Sequence, residues 1–370
     1  MELKCEKNEL LKGISIALKA VSDRSTLPVI GNLFLEAKDN YLTIISNNLE
    51  IAIKLKIPAE ITKEGNILVP AKIFFNIVSK LPNETIELIV DSNKIIKVNC
   101  GYSKFNIHGL PVDDFPEIEM VKDYVKFEIS SSILKDYLKR VIFAVSLDET
   151  KVVVNGVYFD KATEDETLKF VATDGFRLAK SEIKIANKEI ISNIIPTKTI
   201  SELINIISNL KDDTNIEIYN SKEQITFKIE NILLVSRVIQ GMYPKYNMII
   251  PSSSETKLLI NRKEFLEASE RSLIIASEKS NIVKFEVGNN KLHITANTPS
   301  LGDVSELVDV KIEGVENSEI SFNIRLILDF LKTISDEEVV IELSGNKTAG
   351  KFTVKDKDDY LYIVMPIKTA

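Results

Sequence analysis

Over residues 168–179 the chain reads Leu-Lys-Phe-Val-Ala-Thr-Asp-Gly-Phe-Arg-Leu-Ala. Apolar positions run into a polar turn and then resume. That pattern predicts a buried strand, a tight reversal at Asp174-Gly175 and a second strand, with Gly175 supplying a positive φ. The same order of apolar strand, small residue, polar turn and new strand begins at Leu42, 126 residues upstream, and at Leu292, 124 residues downstream. Repetition at this interval predicts three versions of one structural unit.

Two kinds of helix also recur three times. Segments 6–22, 130–146 and 261–277 open on polar residues, carry apolar residues at helical spacing and end in Ser. Leu10, Leu134 and Phe265 occupy equivalent places in them. Segments 69–81, 195–208 and 322–334 form the second kind. Pro70 and Pro196 mark their starts, where a helix tolerates proline, and Lys72, Lys198 and Arg325 follow at one offset. Between the helices, stretches such as Ile86-Glu-Leu-Ile-Val and Val339-Val-Ile-Glu-Leu alternate with period two, as strands of antiparallel sheets with one wet face do. Asp91-Ser-Asn93 and Asn289-Asn290 read as hairpin turns. The expected architecture is α+β in three similar domains, 1–122, 123–250 and 251–370, each built of two β-α-β-β-β units.

Composition narrows the class. At 370 residues and 44% hydrophobic content, several domains with real cores are expected. No apolar run approaches the ~18–20 residues of a membrane span, and the charged start lacks the apolar core of a signal peptide. Only two cysteines occur, Cys5 and Cys100, both in apparent strands, which suits reduced, packed thiols in a cytoplasmic protein. The net charge of −7 argues at first against nucleic acid. Its distribution changes that picture. The helix windows 6–22, 71–82, 130–146, 196–211, 261–277 and 323–335 hold fifteen cations and eight anions, so the strands and loops are strongly acidic. Lysine suits helices generally, but across the set the contrast is better explained by helices that together face an anion.

The motifs Thr26-Leu-Pro-Val-Ile-Gly-Asn32, Val171-Ala-Thr-Asp-Gly-Phe-Arg-Leu-Ala179, Ile294-Thr-Ala-Asn297 and Val364-Met-Pro-Ile367 resemble, in order and at matching spacing, the bacterial DNA polymerase III β subunit, the sliding-clamp family. The resemblance spans the whole chain. It implies the DNA-clamp fold, with helices lining a central hole and antiparallel sheets outside. It also implies a head-to-tail homodimeric ring that encircles double-stranded DNA without sequence specificity, as the processivity factor of chromosomal replication. In that family the replicative DNA polymerase, the clamp loader and repair proteins dock short linear peptides in a groove between domains 2 and 3.

Carried over residue by residue, the resemblance implies DNA contacts at Arg24, Lys72, Lys151 and Lys198. It places the peptide groove at Val154, Thr173, Gly175, Phe176, Arg177, Leu178, Pro244, Met248, Ile363, Val364, Met365, Pro366 and Ile367. The dimer interface maps to Ile274 and Ile275 on one side and to an edge strand at Phe105 and Ile107 on the other. Lys151 is followed by Val152 and Val153 where some relatives carry aromatic residues. Phe176 and Met248 stand where some relatives have polar ones. No cofactor, metal or membrane contact is implied.

An enzyme is the rival class, and its chemistry is hard to find. His108 and His293 lie in no metal or triad spacing. With 13 Gly there is no phosphate-binding glycine loop. Asp113-Asp114 and Asp358-Asp359 read as solvated loop carboxylates. A protein-interaction scaffold of the same fold that never meets DNA is the remaining alternative. It would share the repeats and the groove but not the charge contrast.

Overall fold

The computed structural model describes residues 1–22, 27–119, 121–162, 165–185, 189–276, 281–316 and 318–368. The α-helices are α1 (Lys7–Ala17), α2 (Ala71–Lys80), α3 (Ser131–Ile142), α4 (Thr197–Ser208), α5 (Arg262–Ala276) and α6 (Ile324–Thr333). Each is entered directly from a strand. From residue 125 onward the order strand, helix, three strands occurs four times in succession. The first third adds one strand, Glu60–Lys63, to that order.

Local chemistry explains where the helices begin. Pro70 and Pro196 close the preceding strands instead of opening the helices, one residue earlier than the sequence suggests. They end a ladder where a missing N–H costs nothing. The Asn323 side chain accepts from the Arg325 N–H at 3.0 Å and caps α6, and the Asn261 side chain accepts from Lys263 and Glu264 to cap α5. The start of α3 is held from outside its own segment. Asp213 accepts from the Ser132 N–H at 2.9 Å and from the hydroxyls of Ser130, Ser131 and Ser132.

The chain packs as two compact units, residues 1–133 with 201–238 and residues 134–200 with 239–370. The first holds a five-stranded sheet and an eight-stranded sheet. In the eight-stranded sheet, Ile51–Pro58 pairs antiparallel with Ile232–Arg237, joining segments about 180 residues apart in sequence. In the five-stranded sheet, Ser103–His108 is an edge strand paired only with Ile95–Cys100. Cys5 and Cys100 are buried free thiols, and burial pushes Cys5 up to about 12.

The second unit holds one continuous sheet of twelve strands. Its seam pairs Arg177–Lys184 with the last strand, Tyr360–Val364, in the register Arg177↔Val364 and Leu178↔Ile363. All five residues of that last strand are buried. α5 packs on α6, and its small residues Ala268, Ser269, Ser272 and Ala276 are buried. No helix among the described residues is long and apolar enough to cross a membrane.

All three repeats identified in the sequence fold as hairpins. In two of them the turn is built from the same hydrogen bonds. The Thr173 hydroxyl accepts from Gly175 N–H at 3.1 Å, and Asp174 Oδ1 accepts from Phe176 and Arg177 N–H at 2.8 and 3.0 Å. In the first repeat, Asn47 Oδ1 accepts from Leu49 N–H, and Asn48 Oδ1 accepts from Glu50 and Ile51 N–H. Both turns need a left-handed residue at the third place. Gly175 has φ +94°, and Leu49 takes φ +75° despite its side chain.

Candidate functional site

The site grows from the turn at Thr173–Arg177. Antiparallel pairing of Thr167–Thr173 with Arg177–Lys184 leaves Asp174, Gly175 and Phe176 outside the ladder. The Thr173 hydroxyl also donates to the Arg177 carbonyl at 2.6 Å, which closes the turn. Phe176 is thereby held outward and is 64% exposed. Its carbonyl accepts from Met365 N–H at 2.9 Å, extending the seam one residue beyond the last strand. Ile367 N–H donates to the Ser321 carbonyl at 2.8 Å, so the tail from 365 to 367 is pinned at both ends. Met365 stays partly exposed along this tether.

Beneath the turn lies one apolar cluster containing Val154, Val171, Leu178, Ile194, Tyr243, Tyr246, Leu361 and Ile363. Tyr243 stacks on Tyr158 with ring centroids 4.6 Å apart. The Tyr246 hydroxyl donates to Asp160 at 2.6 Å, and burial, reinforced by that carboxylate, pushes its pKa up. These rings anchor the segment 242–249, which carries Met242, Pro244 and Met248 outward; the two methionines are 84% and 80% exposed. The result is a buried apolar cluster, with Phe176, Met242, Met248 and Met365 exposed within two residues of its members Leu178, Tyr243, Tyr246 and Ile363. Exposed apolar groups arranged on a packed floor are what an apolar ligand needs.

Arg177 supplies the polar element. Its Nε donates to Asp174 at 3.0 Å and its guanidinium reaches Asp329 of α6 at 2.5 Å. It also lies 5.4 Å over the Phe143 ring. Burial opposes its charge, but Tyr362, Asp329 and Asp174 outweigh that and hold its pKa above the ordinary value. The charge is therefore fixed in orientation and already compensated.

All thirteen groove positions read from the sequence fall in the second unit. Val154, Thr173, Leu178, Ile363 and Val364 are buried floor and Gly175, Phe176, Pro244, Met248 and Met365 exposed rim, with Arg177, Pro366 and Ile367 half-buried between the two. The sequence reading missed Met242, whose neighbours in Met-Tyr-Pro-Lys-Tyr246 give an aromatic signal. It also missed Asp329, 152 residues from Arg177, for which no sequence signal exists.

The other assigned residues are dispersed. Lys72 and Lys198 are exposed at the second position of α2 and α4, and Arg325 holds that position in α6. Lys151 lies beside Phe176. Its ammonium lies 5.9 Å over the Phe176 ring and 4.0 Å from Asp148. Arg24 lies outside the described residues. Ile274 is exposed on the last turn of α5, with Ile275 half-buried beside it. Phe105 is exposed on its edge strand, whereas Ile107 is buried. Observed helix bounds hold thirteen cations and seven anions, a net +6 that leaves −13 on the rest. Among the described residues no His, Cys, Asp and Glu group is placed to hold a metal ion.

Family models for the DNA polymerase III beta subunit match throughout: the N-terminal domain at residues 1–119, the central domain at 128–245 and the C-terminal domain at 247–368. The chain belongs to the DNA polymerase III β-subunit family. It is 32% identical to the beta sliding clamp of Staphylococcus epidermidis, over the full length of both chains. The crystal structure of the Bacillus subtilis sliding clamp superposes with a TM-score of 0.95 at 29% identity, covering all of both chains. The Pseudomonas aeruginosa sliding clamp bound to griselimycin superposes with a TM-score of 0.94 at 29% identity, again in full. This chain is a sliding clamp, a non-catalytic processivity subunit of DNA replication with the three-domain clamp fold.

Proposed function

We propose that two copies of the clamp close head to tail into a ring around duplex DNA, each contributing domains 1–122, 123–250 and 251–370. The exposed last turn of α5 at Ile274 and Ile275 meets the edge strand carrying Phe105 and Ile107 of the second copy. DNA is held through Arg24, Lys72, Lys151 and Lys198 by attraction to phosphate. Base-edge bonds, at ~1–3 kcal/mol each, would stall sliding, whereas phosphate attraction lets the protein move. The observation that carries this reading is the placement of Lys72, Lys198 and Arg325 at one helical position, exposed each time. A cation there works against the helix dipole by about 0.3–1 kcal/mol, so its threefold repetition is better accounted for by an anion outside than by helix stability.

The groove takes short linear peptides from the replicative polymerase, the clamp loader and repair proteins, in the cytoplasm. An apolar peptide tail fits a floor of Leu178 and Ile363 beneath a rim of Phe176, Met248 and Met365. Fluorescence anisotropy with a labelled polymerase tail peptide tests docking, alongside sedimentation of the same samples. Met365→Ala is expected to weaken binding about tenfold and leave the dimer intact. Unchanged affinity overturns the groove assignment, and an intact dimer in Ile274→Asp overturns the interface.

A further inference from the structure

Three of the five methionines in this chain, Met242, Met248 and Met365, are exposed within two residues of members of one apolar cluster. Their placement follows from backbone anchors, not from chance exposure. Met242 and Met248 flank a segment fixed by Tyr243 and Tyr246, both within that cluster. Met365 is held by its N–H to the Phe176 carbonyl, and Ile363, two residues earlier, is also in the cluster. Met242 and Met248 are the methionines most open to solvent among the described residues, whereas Met1 is only 7% exposed. Packing alone gives no reason for thioethers at such positions, because Leu or Ile would present equal apolar area without a reactive sulfur.

We propose that Met242, Met248 and Met365 form an oxidation site that switches the docking groove between apolar and polar states; this rests on the groove reading above. The oxidant is hydrogen peroxide. The thioether sulfur lone pair attacks one peroxide oxygen, a sulfur–oxygen bond forms and the oxygen–oxygen bond breaks. Sulfur is oxidised by two electrons to the sulfoxide, and the departing hydroxide takes the proton carried by the transferred oxygen to leave as water. Each event replaces a soft apolar contact by a strong hydrogen-bond acceptor on the rim, opposite an apolar peptide tail. Sulfoxide reduction by methionine sulfoxide reductases restores the groove, so the switch is reversible.

The test treats the folded full-length clamp with hydrogen peroxide, maps sulfoxides by peptide mass spectrometry and measures anisotropy of a labelled apolar tail peptide. Met242 and Met248 are expected to oxidise ahead of Met1. Peptide affinity should fall about tenfold in step and recover with the two sulfoxide reductases. A variant with Met242→Leu, Met248→Leu and Met365→Leu takes its own untreated affinity as baseline, and peroxide should not change that affinity. Equal affinity before and after complete oxidation, earlier oxidation of Met1, or a peroxide response retained by the triple variant overturns the switch while the groove stands. An untreated clamp that fails to bind the peptide overturns the groove reading, and the switch with it.

Discussion

The Arg177 guanidinium lies 2.5 Å from Asp329 Oδ2, joining the turn after strand Thr167–Thr173 to helix α6 across 152 residues of sequence. This pair ties the turn carrying Phe176 to α6, because Phe176 and Arg177 are adjacent and share Asp174 as acceptor. Asp329→Ala should therefore loosen the turn without unfolding the chain. With the Asp329 side chain about half exposed, the stability loss is expected to be about 0.5–1 kcal/mol. Peptide affinity should fall several-fold, measured by anisotropy beside thermal melts. Full affinity in a variant of normal stability would show that the pair plays no part in docking.

The matched turns of the first two repeats predict opposite responses to exchange. Leu49→Gly removes a left-handed strain of about 1–3 kcal/mol, partly offset by about 0.5–1 kcal/mol of added backbone freedom in the unfolded chain. A net gain near 1 kcal/mol is expected in denaturant titration. Gly175→Ala meets no neighbour within 4 Å, so its cost is conformational alone, about 1–2 kcal/mol. A loss on Leu49→Gly would contradict the strain assignment.

Acid should destabilise the first unit through two carboxylates. Hydrogen bonds from Lys126, Lys228 and Tyr219 lower Glu217 to about 2, and the Ser132 N–H with the Ser131 and Ser130 hydroxyls holds Asp213 well below the usual carboxylate range. Both folded values are depressed, so their contribution is complete above the unfolded carboxylate range near pH 4–5. For Glu217 it is lost as pH falls from there to about 2. Urea titrations between pH 7 and 2 should show a shallower decline in Glu217→Gln and Asp213→Asn than in the parent chain. Parallel declines would remove these groups from the account.

The cations at the second helical position should trade stability against DNA binding. Replacing Lys72, Lys198 and Arg325 by Gln relieves three unfavourable dipole contacts and is expected to raise the thermal midpoint slightly. The same variant should lose affinity for DNA and show a smaller dependence on salt, because fewer counterions are released. Unchanged salt dependence would place these side chains away from phosphate.

Much of this was legible in the chain because repetition compounds weak signals. Three polar helix starts, three cations at one offset and three strand–turn–strand segments specify a triplicated α+β plan that none specifies alone. The turn at Gly175 was readable because only the left-handed residue needed there is costly for other side chains. Long-range pairings were not. Nothing in Asp329 or Asp213 marks the first as the anchor of Arg177 or the second as the cap of three serines 81 to 83 residues away. Proline was misplaced by one residue because strand end and helix start both accept it. Nor does the sequence mark the neighbour of Lys151, whose ammonium lies 5.9 Å over the Phe176 ring.

Retention on DNA of different topology tests the ring most directly. The clamp is loaded onto a nicked circular duplex, the circle is cut once, and bound protein is measured before and after by gel filtration. The account predicts stable retention on the circle and loss from the linear product as clamps run off its ends. Equal retention on both forms would contradict encirclement and leave a clamp that grips its DNA.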